Sequence, residues 1–437
     1  MSVSLDANGW TAVTPSADSR VIYVSNSSGN DANSGLTASA PLKTIPAGIA
    51  MLRSGMPDWL LLKRGDSWVG EGLSSWSKSG RSAQEPMLIS SYGSTGARPI
   101  LKTGAYNGIY AQNVPVNYLS IIGLDFYANT RDPLSPDFVN TDGGTGIRWM
   151  VASKDLLIED TVVRGYTTNV FISPELSGPI TNVKIRRSMI LDSYATVGHS
   201  AGALLGGLDG LLLEGNVFDH NGWNENIVDA PADKFNHNIY IVSNNTGVVV
   251  KDNIIANAAS HGLQARSGGQ ISGNIFLNNP IDLSFGMANG SAETSGGVSG
   301  FIKDNIFAGS RDIDGSLRGY VMEIGNLKPG GTIVSGNIMV GDAKSLSPAI
   351  QISEGVYLSA PSGNTGVNDL TIENNVLYNW ASAIWVDSRL VPGTTGALGL
   401  NNLTVRNNDF QKTSDPQIIT HSAVFKLAQE HFSGNRY

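Results

Sequence analysis

The 437-residue chain contains no cysteine. That excludes a disulfide framework and thiolate metal sites. No run of 18 apolar residues occurs, so no membrane-spanning helix is expected and no membrane partner with it. The opening Met1-Ser-Val-Ser-Leu-Asp6 has neither a basic n-region nor an apolar h-region, so a secretory signal is not expected. Charge is scarce: Asp, Glu, Lys and Arg make up 15% of the chain, and the net charge is −8. A nucleic-acid partner is therefore not expected, because phosphate binding wants a basic face. An acidic polymer remains compatible if cationic side chains cluster locally.

Glycine, by contrast, is plentiful, with 51 residues. Gly and Asn without long amphipathic patterns suit many short strands joined by tight turns. Residues 1–60 read as an entry segment. Val21-Ile-Tyr-Val-Ser25 is a strand, and Leu42, Ile45, Ile49 and Leu52 at helical spacing predict a short helix within Pro41–Arg53 that caps the following fold. From 61 to 437 short apolar alternations recur. A segment of the form Val-x-Val/Ile-x-x-Asn-Ile/Val-hydrophobic returns at Leu213–Phe218, Val250–Ile255, Ile271–Phe276, Phe301–Phe307, Ile333–Met339, Leu370–Leu377 and Leu403–Phe410. Its asparagines, Asn216, Asn253, Asn274, Asn305, Asn337, Asn375 and Asn408, lie between 21 (Asn253 to Asn274) and 38 (Asn337 to Asn375) residues apart. Stacked coils would bring them into a hydrogen-bonded ladder at the strand spacing of about 4.8 Å, and Asn also tolerates the left-handed backbone of a sharp corner. The expected fold is all-β, a single-stranded right-handed parallel β-helix with a short N-terminal capping helix.

Several stretches carry a family resemblance. Tyr23-Val-Ser-Asn-Ser-Ser-Gly-Asn-Asp-Ala-Asn-Ser-Gly-Leu36, Ala40-Pro-Leu-Lys-Thr-Ile45, Leu61-Leu-Lys-Arg-Gly-Asp-Ser-Trp68 and Tyr92-Gly-Ser-Thr-Gly-Ala-Arg-Pro99 resemble the opening of β-helix polysaccharide-active proteins. That superfamily includes pectate lyases, alginate lyases, chondroitinase B-like lyases, alginate epimerases and phage tailspikes. The resemblance covers nearly the whole chain and implies a polysaccharide partner. It also implies an extracellular or virion-associated location, release at phage lysis being one route without a signal. The molecule is then a monomer, or a homotrimer if a tailspike.

Solenoids bind long polymers along an exposed strand face. Two segments one coil apart stand out: Asn236-His-Asn-Ile-Tyr-Ile-Val242 and Ser260-His-Gly-Leu-Gln-Ala-Arg-Ser-Gly-Gly269. Alternation points Ile239, Ile241, Leu263 and Ala265 inward. Asn238, Tyr240, Gln264 and Arg266 then point outward, joined by Asp282 and Ser284 of the next coil. The segment Leu263-Gln-Ala-Arg-Ser-Gly268 followed by Asn274-Ile-Phe276 resembles the chondroitinase B-like and alginate lyase pattern, which implies that Arg266 falls on that family's catalytic arginine. The family's partner lysine has no counterpart, since the preceding coil reads Tyr240-Ile-Val-Ser243. Lys234 stands in a loop just before that strand.

A lyase acting on a uronate needs a neutraliser for the carboxylate, a base and an acid. Arg266 with Gln264 suits the first role, and His237, His261 or Tyr240 the others; spacing does not choose among them, and each histidine also fits a corner residue bonded to backbone. Asn238, Lys234 and Asp282 would bind substrate, with Arg148 and Trp385 extending the groove towards the two ends of the chain. A hydrolase would instead need two carboxylates about 5 Å or 6.5–9.5 Å apart, for which Asp282 and Glu323 are the candidates. A C5-epimerase or a non-catalytic carbohydrate-binding solenoid are further alternatives. Asp31-Ala-Asn33-Ser-Gly35 begins like a Ca2+ loop but lacks the closing acid, so no metal motif convinces and a Ca2+ requirement stays open.

Overall fold

Three short strands per coil, each stacking in parallel on the corresponding strand of the next coil, build this chain. The computed structural model describes residues 4–139, 141, 143–175, 177–287, 294–313, 316–342, 347–353, 366–387, 399–413, 418–422 and 427–437. The chain divides into two units: one runs to Val217 and includes Glu225–Ala230, and the other comprises Phe218–Asn224 and the chain from Pro231. Each unit is a stack of parallel β-helical coils.

In the first unit the inward positions of successive strands stack as apolar columns. Leu119, Leu156, Val183 and Leu211 are in register, as are Ile121, Ile158, Ile185 and Leu213, and all are buried. In the expected helical segment, a helix spans Ile45–Met51. Thr44 caps it by accepting from the Ala47 amide at 3.3 Å, and Pro46 lies in the first turn, where its missing N–H costs nothing. Gly48 lets the helix approach closely: a β-carbon there would meet Leu60 and Val24 at 2.7 Å.

The second unit holds the sheet that matters for function. Its strands are His237–Ile241, His261–Ala265, Ile281–Phe285, Met322–Gly325, Ile350–Ser353, Ile384–Asp387 and Ile419–His421. Ile239, Leu263, Leu283, Met322, Ile350 and Ile384 form one core column; Ile241, Ala265, Phe285, Ile324, Ile352 and Val386 form the next. All are fully buried. Removing such a side chain from water contributes roughly 1.5–3 kcal/mol, so the columns fix the register of everything between them.

The asparagine ladder is present. Asn253 donates to Asn274 Oδ1 at 2.9 Å, Asn274 to Asn305 at 3.0 Å, Asn305 to Asn337 at 3.0 Å, Asn337 to Asn375 at 2.9 Å and Asn375 to Asn408 at 2.9 Å. Asn435 adds a further rung at 3.1 Å. In the first unit Asn216 accepts from the Ser188 amide at 3.0 Å. One detail of the expectation is corrected. The ladder asparagines do not adopt the left-handed backbone; the residue before each does, as with Asp252, Gly273, Asp304, Gly336, Asn374 and Asn407. The corner thus splits its two demands between neighbours: one residue supplies positive φ, and the next supplies the amide.

Candidate active site

Outward positions of the His237–Ile241 sheet make a second kind of column. Tyr240, Gln264, Ser284, Glu323, Gln351, Trp385 and Thr420 stand in register, one per coil. Strand spacing places successive members roughly 4.8 Å apart. Despite facing away from the core, Gln264, Ser284, Glu323 and Gln351 are all buried. Tyr240 and Trp385 are partly exposed.

A connected set of ionisable groups crosses this column. His261 Nε2 lies 3.4 Å from Glu323 Oε1, and His261 Nδ1 lies 3.2 Å from His237 Nδ1. Ser260 Oγ is also 3.2 Å from His261 Nδ1. The His237 ring centroid is 4.8 Å from that of His261 and 5.4 Å from that of Tyr240. The Arg266 guanidinium lies 4.5 Å above the Tyr240 ring. The sequence order is scattered, but the site is continuous: Glu323, His261, His237, Tyr240, Arg266.

Burial pushes the His261 pKa below the ordinary histidine range, with Glu323 opposing. Burial also works to raise the Glu323 carboxyl, but the His261 contact and the Arg318 charge help to outweigh it and hold the group below its usual value. An ionised Glu323 beside a neutral His261 follows. Glu323 then accepts from His261 Nε2–H, leaving Nδ1 as the acceptor that faces the Ser260 hydroxyl and His237 Nδ1–H. Burial lowers the Arg266 pKa as well, with Tyr240 and Glu323 opposing. Several buried polar atoms around this set have no hydrogen-bond partner: Gln264 Oε1, Gln351 Oε1, Arg266 Nε and Arg318 Nε. Native interiors leave few such groups, and a cluster of them marks a place where a ligand supplies what is missing.

Not every expected residue reaches the site. Asn238 and Asp282 were expected to face outward with Tyr240; both are instead fully buried. Asn238 accepts from Asn221 at 2.8 Å and donates to the Ala256 carbonyl at 2.6 Å. Asp282 accepts from Asn279 at 2.9 Å and from Ser310 at 2.7 Å. Both side chains lie in their strands but bond into the polar corner, whose amide, hydroxyl and carbonyl groups take the place of solvent. This removes Asp282 as groove-facing partner to Glu323, so the paired carboxylates a hydrolase needs are not brought together by these two residues. Burial pushes the Asp282 pKa up to about 7, against its Asn279 and Ser310 bonds. Lys234 lies 5.2 Å from the ring of its neighbour Phe235. Arg148 belongs to the first unit, where it packs 5.8 Å from Phe171 and donates to Met150 Sδ at 3.0 Å. Trp385 is in line, two coils beyond Glu323.

Two residues were missed. Gln351 was legible, because Ile350-Gln-Ile-Ser353 alternates as Leu263-Gln-Ala does. Arg318 lies outside any strand and had no periodic signal. It reaches Ser260 Oγ at 3.3 Å.

The sequence leaves a Ca2+ requirement open, and the described residues of this site do not fit that ion. Among the described residues no group of three or more His, Asp or Glu side chains is arranged to hold a metal ion. Ca2+ takes six to eight oxygen ligands, whereas the carboxylate in this constellation is committed to His261 and two guanidinium groups stand nearby.

Parallel coils of three strands define the parallel β-helix class. The chain is similar in structure to a PL6-family alginate lyase variant, with 14% identity over 87% of this chain and 53% of that one and a TM-score of 0.50. It is also similar to the Dettilon tailspike protein (13%, 95% and 68%, TM-score 0.49) and to the A-module of the Azotobacter vinelandii mannuronan C-5 epimerase (13%, 86% and 86%, TM-score 0.43). No family model and no curated protein matches the sequence. The likeness to the PL6-family structure concerns the fold alone, the parallel β-helix that the sequence resemblance implied, and activity rests on the site itself.

Proposed function

We propose that this protein is a polysaccharide lyase that cleaves a uronate-containing polymer by β-elimination. The observation that supports this reading best is the continuous chain Glu323–His261–His237, ending beside Tyr240 and Arg266. Arg266 would bind the substrate carboxylate and stabilise the charge that develops when the proton α to it leaves. His237 is the base: its Nδ1–H is directed to His261, so the lone pair sits on Nε2. His261 is buried and engaged at both ring nitrogens, so it relays polarisation from Glu323 and does not touch substrate. The C5–H electron pair forms the C4–C5 double bond, the C4–O bond breaks, and the Tyr240 hydroxyl protonates the departing oxygen. Gln264 and Trp385 bind flanking sugars, the latter through its ring face. An extracellular or virion-associated setting goes with such a substrate, and the Ile45–Met51 helix serves as an N-terminal cap.

Incubation with alginate, pectate and glycosaminoglycans, followed by ultraviolet absorbance of the unsaturated product, tests the proposal. Absence of that product from every uronate polymer overturns it. New reducing ends without the absorbance would point to hydrolysis.

A further inference from the structure

Many arginines of this protein pair with carboxylates, and others donate to backbone carbonyls, as buried Arg131 does to Gly165 at 2.9 Å and Tyr194 at 2.6 Å. Arg53 pairs with Asp58 at 2.6 Å, Arg164 with Asp125 at 3.0 Å, Arg186 with both Glu159 and Glu214, and Arg406 with Glu373 at 2.6 Å. Arg266 and Arg318 pair with no carboxylate among the described residues, and each keeps a buried Nε–H without an acceptor. Leaving a buried charged donor unfilled costs free energy that a fold does not normally spend twice around one sheet.

The two guanidinium groups approach opposite ends of the same strand. Arg318 Nη2 meets Ser260, the residue before His261–Ala265, and Arg266 is the residue after it. Ser260 and Arg266 are six positions apart in sequence, yet both guanidinium charges act on His261 and so converge on one site. Asp312 stands near Arg318 but accepts from the Arg318 and Gly319 backbone amides, and neither orphaned Nε–H reaches a carboxylate. Along the column the orphaned acceptors Gln264 Oε1 and Gln351 Oε1 want donors, which sugar hydroxyls supply.

We infer that Arg318 forms a second anion subsite, which holds a carboxylate or sulfate on a sugar adjacent to the uronate bound by Arg266. The inference rests on the lyase reading for the role of Arg266, but it concerns binding and has its own readout. Arg318 is thus a substrate-positioning residue. Its charge also acts on His261 and Glu323, so an anion seated on Arg318 removes a positive field from His261 and makes the relay more basic as substrate binds.

The test is calorimetric binding of three probes to full-length protein and to Arg318→Gln and Arg318→Lys. An alginate or pectate hexasaccharide carries a carboxylate on every sugar, chondroitin sulfate oligosaccharide carries sulfate beside its uronate, and hyaluronan oligosaccharide has no anion there. Arg318→Gln is expected to weaken whichever of the first two binds by about 10-fold or more, the range of a charge-assisted hydrogen bond. Hyaluronan binding should be unchanged, and Arg318→Lys should recover most of the loss. The tighter of the first two identifies carboxylate or sulfate. In turnover assays the loss should fall on KM, with kcat nearly kept. Equal weakening of hyaluronan, no weakening of any probe, or no binding of any probe to the unaltered protein each overturns the inference. Binding that depends on Arg318 without unsaturated product would retire the lyase reading and leave the subsite standing.

Discussion

His261 and Glu323 are 62 residues apart in the chain and 3.4 Å apart in space, His261 Nε2 facing Glu323 Oε1. They come from different coils of one sheet, and the geometry puts a permanent negative charge behind a buried imidazole. Glu323→Gln keeps the shape and removes the charge. Activity is expected to fall by roughly 100-fold or more, the scale of general base catalysis, with KM little changed. Initial rates of product formation decide it; a change confined to KM would place Glu323 in binding alone.

The relay from Glu323 to His237 needs a neutral His261. Its pKa is depressed, so the relay itself should put no acid limb on the pH–rate profile at or above the ordinary histidine value. Glu323 opposes the depression, so Glu323→Gln should move the His261 titration itself to still lower pH. Imidazole NMR titration of the variant shows the direction; a shift upward contradicts the assignment.

Asp282 predicts a pH dependence of stability. Its folded pKa, about 7, exceeds the ordinary 3.8, so the folded state holds a proton that the unfolded chain has lost in between. Stability from this group is therefore fully present below about pH 4, falls as pH rises towards 7 by up to about 1.4 kcal/mol per unit, and is flat above. Asp282→Asn mimics the protonated form and should gain relative to the unaltered protein between pH 5 and 8. Denaturant midpoints at both pH values check this, and a pH-independent difference counts against it.

Asn305 sits inside the ladder. It accepts from the Asn274 amide at 2.9 Å and donates to the Ile271 carbonyl at 3.2 Å. Asn305→Ala leaves these buried groups without partners and should cost about 2–4 kcal/mol of stability. Asn435, the last rung and only part-buried, should cost less when changed to Ala. Urea unfolding of the two variants gives the comparison.

Trp385 shares its column with Glu323 through Gln351. Trp385→Ala should raise KM about 2- to 12-fold, corresponding to roughly 0.5–1.5 kcal/mol of ring stacking, and leave kcat nearly unchanged. Steady-state kinetics on the best polymer would reveal a kcat effect if the residue touched the chemistry instead.

Local information in the sequence was enough for the repeating architecture. Period-2 alternation put Ile239, Ile241, Leu263 and Ala265 inside and Tyr240 and Gln264 on the other face, because successive side chains of a strand must point to opposite sides. The recurring asparagine marked the corner, because its short amide can donate to the copy on one neighbouring coil and accept from the copy on the other. Placing His237 and His261 side by side needed no more than a spacing of one coil. Three things waited for the tertiary structure. Asn238 and Asp282 share the outward parity of their strands, yet the amides of Asn221 and Asn279 draw them into the corner. Glu323 meets His261 because intervening coils carry insertions whose lengths no periodicity predicts. Arg318 joins from outside the strands, through Ser260. Backbone periodicity is a property of neighbours in sequence, whereas a site assembled across coils depends on where each loop returns the chain, and only the folded stack decides that.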